Sequence, residues 1–405
     1  MKENNLSITD IFSFTIYTLI NALFVYKYSS RIISQFWAAS LVYIVIVSLL
    51  IVLLFRKGGL RSSVKTQNSI YFFLIAFFAI VLTFSMIQFD PQQIRVGRYP
   101  AMYDWITKLL SSEFPYASDT NPSGFPFLFV MAMPFYFLGD LGFFQIFSFL
   151  TFAVLLYLRH SPKSINRFRL IFLLVTSPIF LYEIVVRSEL FSNMVIVMLY
   201  LAVLEAYGQR VGHITLFFLG IIGGLLLSTR GVVLLIYIII LGYFLKRQII
   251  NHSLFFISMF VGFFLSLAPF LIWDWTYFIN FGPFAVQLSY IPNWLLTLAI
   301  ASSVLCALTI RSLKGIYSSV SFILFGVVSA AFVLAVLDLG WHKAVLGSGF
   351  DIAYFCLALP YLLISLEFAE KGTAFPDRVF AAGLTGNGVY SNASKGGTSR
   401  KTQER

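Results

Sequence analysis

Long apolar runs separated by short polar connections dominate the chain, and most approach the ~20 residues that an α-helix needs to cross ~30 Å of hydrocarbon. They predict spans near 9–26, 36–55, 69–89, 141–158, 170–186, 189–207, 214–228, 231–245, 253–273, 292–310, 316–336 and 350–368, about 12 transmembrane helices in an all-α polytopic membrane protein. Between the third and fourth runs the pattern breaks, in FDPQQIRVGRYPAMYDWITKLLSSEFPYASDTNPSGFPFLFVMAMPFYFLGD. Within that stretch Tyr99 to Leu110 carries Met102, Trp105, Ile106, Leu109 and Leu110 on one side, the mark of an amphipathic helix on the membrane surface. Phe125 to Leu138 is apolar but short, and Pro122, Pro126 and Pro134 predict a broken juxtamembrane helix rather than a span. The N-terminus lacks a basic segment followed by a small-residue cleavage site, so Thr9 to Tyr26 reads as a retained first span.

Composition strengthens the class. With 59% hydrophobic residues, 18% aromatics, 11% charged residues and a mean hydropathy of +0.87, the chain has too much apolar surface to bury in soluble domains. Cys306 and Cys356 both fall within predicted spans, far apart in sequence, which argues against a disulfide framework or a thiolate metal site.

Basic loops are retained in the cytoplasm, and this orients the spans. The clusters Arg56/Lys57/Arg61/Lys65, Arg159/Lys163/Arg167/Arg169, Lys246/Arg247 and Arg311/Lys314, together with the tail from Lys371, then share the cytoplasmic side with both termini. The net charge of +11 therefore expresses topology and a tail facing anionic headgroups, with no support for nucleic-acid binding. The outer face collects Asp90, Asp104, Glu113, Asp119, Asp140, Glu183, Glu189, Asp274, Asp338 and Asp351, more than half of the 17 acids. Residues 369–405 are poor in apolar side chains and predict a disordered basic tail, in which Asn392-Ala393-Ser394 matches a glycosylation sequon on the wrong side of the membrane.

A chain with so few charges exposes its candidate chemistry. Asp90 follows the third span directly and Pro91 turns the chain after it; the plain alternative is a solvated loop acid. Asp104 lies on the amphipathic helix, where a solvated face competes with a catalytic role. In SPIFLYEIVVRSELFSN, Glu183, Arg187 and Glu189 fall between two apolar runs with almost no loop, a depth at which ionisable groups are paired or functional. Arg230, in LLLSTRGVVLL, is the most isolated cation and is read as the partner either of carbonyl groups or of an anionic headgroup. His342 and Lys343 close the last outer loop as interfacial anchors or phosphate ligands. An outward carboxylate as general base and a buried guanidinium to neutralise a phosphate leaving group are what sugar transfer from a lipid phosphate requires. HExxH, GxSxG, a Cys–His pairing and a Walker loop are all missing from the sequence.

The succession of a span, an outer loop with an acid, RYPAMYDWI, FPY, NPSGFPFLF and PFYFLGDLGFFQIFSF resembles the first periplasmic loop of the GT-C membrane glycosyltransferases, the group of the protein O-mannosyltransferases and the lipid A aminoarabinose transferase. SPIFLYEIVVRSELFSN is similar to the family's hairpin with a second acid, and GIIGGLLLSTRGVVLLI to its glycine-rich helix ending in threonine and a basic residue. The resemblance covers roughly 69–367, and implies a GT-C-like catalytic module at 69–368 with its outer loop at 90–140, preceded by two extra helices in 1–68. Where the family has an acidic pair before the arginine-tyrosine, this chain has Arg95, Val96 and Gly97, and the nearest upstream acid is Asp90.

What the resemblance implies is a glycosyltransferase at the outer face of the cytoplasmic membrane, using a polyprenyl-phosphate-linked sugar donor and a glycan, lipid or protein acceptor. Asp90, Glu189 and Asp104 would be its catalytic acids, and Arg230, Arg187, Arg98, Tyr99, His342 and Lys343 its substrate-binding groups. Some branches of the family use a divalent cation and others do not. A polysaccharide polymerase and a lipid-linked glycan flippase or transporter are the alternatives, the last of which predicts an internal repeat or paired broken helices that the sequence does not show.

Overall fold

The structure, a computed structural model, describes residues 7–55, 63–94, 98–120, 122–159, 166–250, 252–289 and 291–366. The 369–405 tail with its sequon, and Arg56, Lys57, Arg61, Arg95 and Lys163, lie outside the described residues. All described elements are helical. They run α1 (Ile8–Ser29), α2 (Phe36–Phe55), α3 (Val64–Ile87), α4 (Pro91–Ile94), α5 (Tyr99–Leu110), α6 (Pro126–Phe137), α7 (Phe143–Arg159), α8 (Asn166–Val175) and α9 (Pro178–Val185). After these come α10 (Leu190–Tyr207), α11 (His213–Leu227), α12 (Val233–Lys246), α13 (His252–Trp273), α14 (Trp275–Asn280), α15 (Pro283–Ser289), α16 (Asn293–Thr309) and α17 (Leu313–Leu339). A π-helical turn (His342–Leu346), a 3-10 helix (Ile352–Ala358) and α18 (Leu359–Ser365) finish the fold.

Six of these helices, α1, α2, α3, α10, α13 and α17, are long and apolar enough to cross a membrane, and α8 with α9 makes a seventh if that bent pair counts as one span. The chain is thus a multi-pass helical membrane protein, but by length and composition the twelve expected spans are not reached among the described residues. Four of the expected runs fall short for visible causes. The 170–186 run breaks by 60° at Thr176-Ser177-Pro178, because Pro178 has no N–H and restricts the residue before it. The runs at 214–228 and 231–245 end on a tight turn, Ser228 to Val232, leaving helices of 15 and 14 residues, or ~22 Å each at 1.5 Å per residue. The 350–368 run is split between 3-10 and α geometry. The 125–138 run forms a short helix, α6, with Pro134 inside it.

Buried polar side chains repair the break between α8 and α9. Asn21, inside α1, accepts hydrogen bonds from the Ser177 hydroxyl at 2.7 Å and the Ile179 N–H at 3.2 Å, and Tyr17 donates to the Leu173 carbonyl at 2.6 Å. The helix α1 is therefore wedged into the body and is no separate N-terminal appendage; its Lys27 reaches the Phe350 carbonyl at 3.3 Å. Elsewhere small residues let helices close up: a Cβ on Gly224 would stand 1.9 Å from the Met259 carbonyl oxygen, and one on Gly262 2.2 Å from that of Ile221, so α11 and α13 touch backbone to backbone.

The segment expected to be the outer loop has a hydrophobic core of its own. Met102, Trp105 and Ile106 of α5 are buried as their spacing predicts, whereas Leu110 is exposed. Trp105 stacks on Phe129 of α6 at 4.5 Å, and Tyr116 packs edge-on against Phe278 of α14 and donates to the Gly124 carbonyl. Phe270 and Leu267 near the end of α13 complete this cluster, which fixes α5 over one end of the bundle.

Candidate functional site

The turn between α9 and α10 is built to place one carboxylate. Arg187 sits at φ 49°, a left-handed conformation that a non-glycine residue adopts only when its surroundings hold it there. Here they do. Its guanidinium forks onto Asp140 at 3.2 and 3.0 Å and donates to the carbonyl groups of Phe89 (2.7 Å) and Val185 (2.9 Å). From the other side, the buried Glu183 carboxylate accepts the Leu190 and Phe191 N–H groups at 3.0 and 3.2 Å, covering two of the free donors at the start of α10. Gln145 of α7 donates to the Ser188 carbonyl at 2.9 Å. Glu189, the residue at the N-cap of α10, is left facing inward with its side chain almost wholly buried.

Two guanidinium groups meet it. Arg230 arrives on the turn between α11 and α12, which is pinned to the start of α6 by the Phe125 N–H on the Thr229 carbonyl (3.0 Å) and to α15 by the Gly231 N–H on the Gln287 side chain (2.9 Å). Its Nη2 donates to Glu189 Oε1. Arg98, at the N-cap of α5, brings Nε to 3.7 Å from the same oxygen and Nη2 to 3.0 Å from Asp351 Oδ2, and lies 4.4 Å over the Tyr354 ring. Burial opposes the charge on Arg98, but Asp351, Tyr354 and Glu183 outweigh it and raise the group above the ordinary arginine value. Asp351 is itself an N-cap, its Oδ1 accepting the Ala353 N–H at 3.0 Å, yet 43% of its side chain remains exposed.

These residues form the head of a cavity of about 890 Å³. Its polar wall holds Arg98, Glu189, Arg230, Asp351 and Tyr354, with Thr120, Ser123 and Gln287 close by; the rest is apolar, with Phe260 and Phe263 of α13 and Leu324 and Val328 of α17 among the lining side chains. Three polar atoms at the head are buried with no hydrogen-bond partner among the described residues: Arg98 Nη1, Arg230 Nε and Glu189 Oε2. Two unfilled charged donors beside an apolar trough complement an anionic headgroup on a hydrocarbon chain.

No family model, curated protein or solved structure matches the chain.

Of the site residues expected from sequence, the structure gathers Arg98, Glu189 and Arg230. It does not bring the others to the cavity. Asp90 is exposed beyond the end of α3, where its carbonyl accepts the Gln93 N–H and starts α4. Asp104 accepts the hydroxyls of Ser118 and Thr120, tying down the loop after α5. Tyr99 stacks on Tyr103 at 5.7 Å, and Arg187 is consumed in holding its own turn. His342 and Lys343 are exposed on the π-helical turn. Asp351 and Tyr354, absent from the sequence-based set, join the site from the far end of the chain. No group of three or more His, Cys, Asp or Glu among the described residues is placed to hold a metal ion, and both cavity carboxylates are engaged by arginine, an arrangement that does not fit a divalent cation.

Proposed function

We propose that the chain is a glycosyltransferase of GT-C type that moves a sugar from a polyprenyl-phosphate-linked donor to an acceptor at the outer face of the cytoplasmic membrane. The observation that carries this reading is the pair of buried guanidinium groups, each with an unfilled N–H, at the head of a cavity whose remaining walls are apolar. Arg98 and Arg230 hold the phosphate, and the apolar side chains of α13 and α17 receive the start of the lipid chain. Asp351, the most exposed carboxylate in the cavity, takes the role first expected of Asp90. It accepts the proton of the acceptor hydroxyl or amine as that atom attacks the anomeric carbon; the bond to the phosphate oxygen breaks, and its electron pair leaves on a phosphate already neutralised by two arginines. A single displacement of this kind inverts the anomeric centre.

The orientation has a spatial counterpart. Lys246 reaches the carbonyl groups of Ala307 and Leu308, Arg247 that of Arg311, and Lys314 pairs with Asp10, so the basic connections converge on one end of the bundle. We assign that end to the cytoplasm.

The test is direct binding of polyprenyl monophosphate to the purified protein in detergent micelles. Wild type should bind saturably, and Arg98→Ala or Arg230→Ala should each weaken binding by on the order of tenfold or more, the worth of a charge-assisted hydrogen bond. Equal binding by folded Arg98→Ala and Arg230→Ala proteins sinks the donor-site reading.

A further inference from the structure

We propose that Glu189 is an internal counter-anion, competing with the lipid phosphate for the two arginines and so driving release of the spent carrier. The inference rests on the reading of the cavity head as a phosphate site, and concerns what happens there between turnovers. Two guanidinium groups directed at one oxygen repel each other unless an anion lies between them, and in this structure that anion is Glu189 Oε1. The carboxylate is held on one side only. Oε1 takes both arginines, while Oε2 has no partner among the described residues.

The backbone beneath it behaves differently. Glu183, Gln145 and the Arg187–Asp140 fork anchor residues 187, 188, 190 and 191, and the Glu189 carbonyl accepts the Asn193 N–H of α10, leaving the Glu189 side chain outside this set of anchors. Glu189 can therefore rotate off the arginines without moving the helix, and its tether returns it to them.

Arg98 Nη1 and Arg230 Nε lack hydrogen-bond partners among the described residues but are buried, and the contact that joins the two cations is occupied by Glu189 Oε1. Full binding thus requires the carboxylate to yield, because two anions cannot share one buried contact. The reaction sharpens this competition. The donor is a phosphodiester with one negative charge, whereas the spent carrier is a phosphomonoester with close to two at neutral pH, and the second charge strengthens its hold on the arginines. A tethered carboxylate that re-enters as the phosphate loosens offsets that gain. Asp351 does not serve the same purpose, since its Oδ1 caps the 3-10 helix and its Oδ2 engages Arg98 alone.

A catalytic or substrate-gripping Glu189 predicts the opposite sign for its removal, and this separates the two ideas. In the full-length protein in micelles, with farnesyl monophosphate as the probe, Glu189→Gln should bind on the order of tenfold more tightly than wild type, since no charged contact has to be surrendered. In steady-state assays its KM and kcat should fall together as product release slows. Unchanged or weaker binding overturns the proposal while leaving the phosphate site intact. Failure of wild type and every variant to bind the probe removes the phosphate reading itself, and the proposal with it. Should Glu189→Gln not fold, the charge-balanced pair Arg230→Gln/Glu189→Gln is compared with Arg230→Gln alone. The double variant should bind more tightly through Arg98, and equal or weaker binding overturns the inference.

Discussion

The carboxylates of this chain are distinguished by what surrounds them. Glu183 is spent on the start of α10, Asp140 on Arg187 and Asp104 on two hydroxyls, whereas Asp351 lines the cavity with much of its side chain in reach of an incoming group. The expected outcome is that Asp351→Asn lowers turnover by ~10²–10⁴, the range for a lost general base, with donor binding little changed. Asn keeps the cap on the 3-10 helix through its amide oxygen, so loss of fold does not confuse the result. Asp90→Asn should stay near wild type. A full-rate Asp351 variant would return the base to the outer loop. Sequence marks Arg230 and Glu189 more sharply than Asp351, for a physical reason: both interrupt apolar runs where a charge needs a partner, so their types alone single them out. Asp351 opens an apolar run as a helix cap, and Asp90 ends one before a proline; both look like ordinary boundary residues, and only folding shows which faces the cavity.

At the scale of elements, the hydrophobic pattern located most of the longer helices, and the bounds of α5 match those read from its spacing, but α4, α14, α15 and the π-helical turn are not expected from it. It could not say which apolar runs stay straight. Pro178 marks the break between α8 and α9, but the bend is held by Asn21, more than 150 residues away, and α14 and α15 are held through Phe278 and Phe284 by the rings of Tyr116 and Phe125. Neither relation has a local signature. The contact between α11 and α13, by contrast, is written in glycines and makes a sharp test. Gly224→Ala sets a Cβ against the Met259 carbonyl, in rigid backbone, and should destabilise the protein by about 1–3 kcal/mol in detergent melts. Gly326→Ala in α17, where a Cβ meets nothing within 4 Å, should be neutral or slightly stabilising, since alanine is the better helix former. Equal losses from the two variants would refute close backbone packing as the bond between α11 and α13.

Across the whole molecule the two ends of the bundle differ in kind. One gathers Lys246, Arg247, Arg311 and Lys314; the other carries α5, the cavity head and exposed tryptophans, with Trp341 against Tyr26 and Trp273 against Phe114. Aromatic rings with one polar edge settle at a membrane–water boundary, and under the proposed function this rim is the level at which a lipid headgroup would meet the arginines. Orientation then decides which donors are available. On the outer face sugars arrive on lipid carriers, whereas on the cytoplasmic face soluble activated sugars compete and the apolar trough loses its purpose. In a Cys306→Ala background, with the buried Cys356 retained, a membrane-impermeant maleimide should label Glu113→Cys on intact spheroplasts and Arg311→Cys only after permeabilisation. The reverse pattern would put the cavity head in the cytoplasm, and the lipid-phosphate donor would then have no topological reason to be preferred over a soluble one.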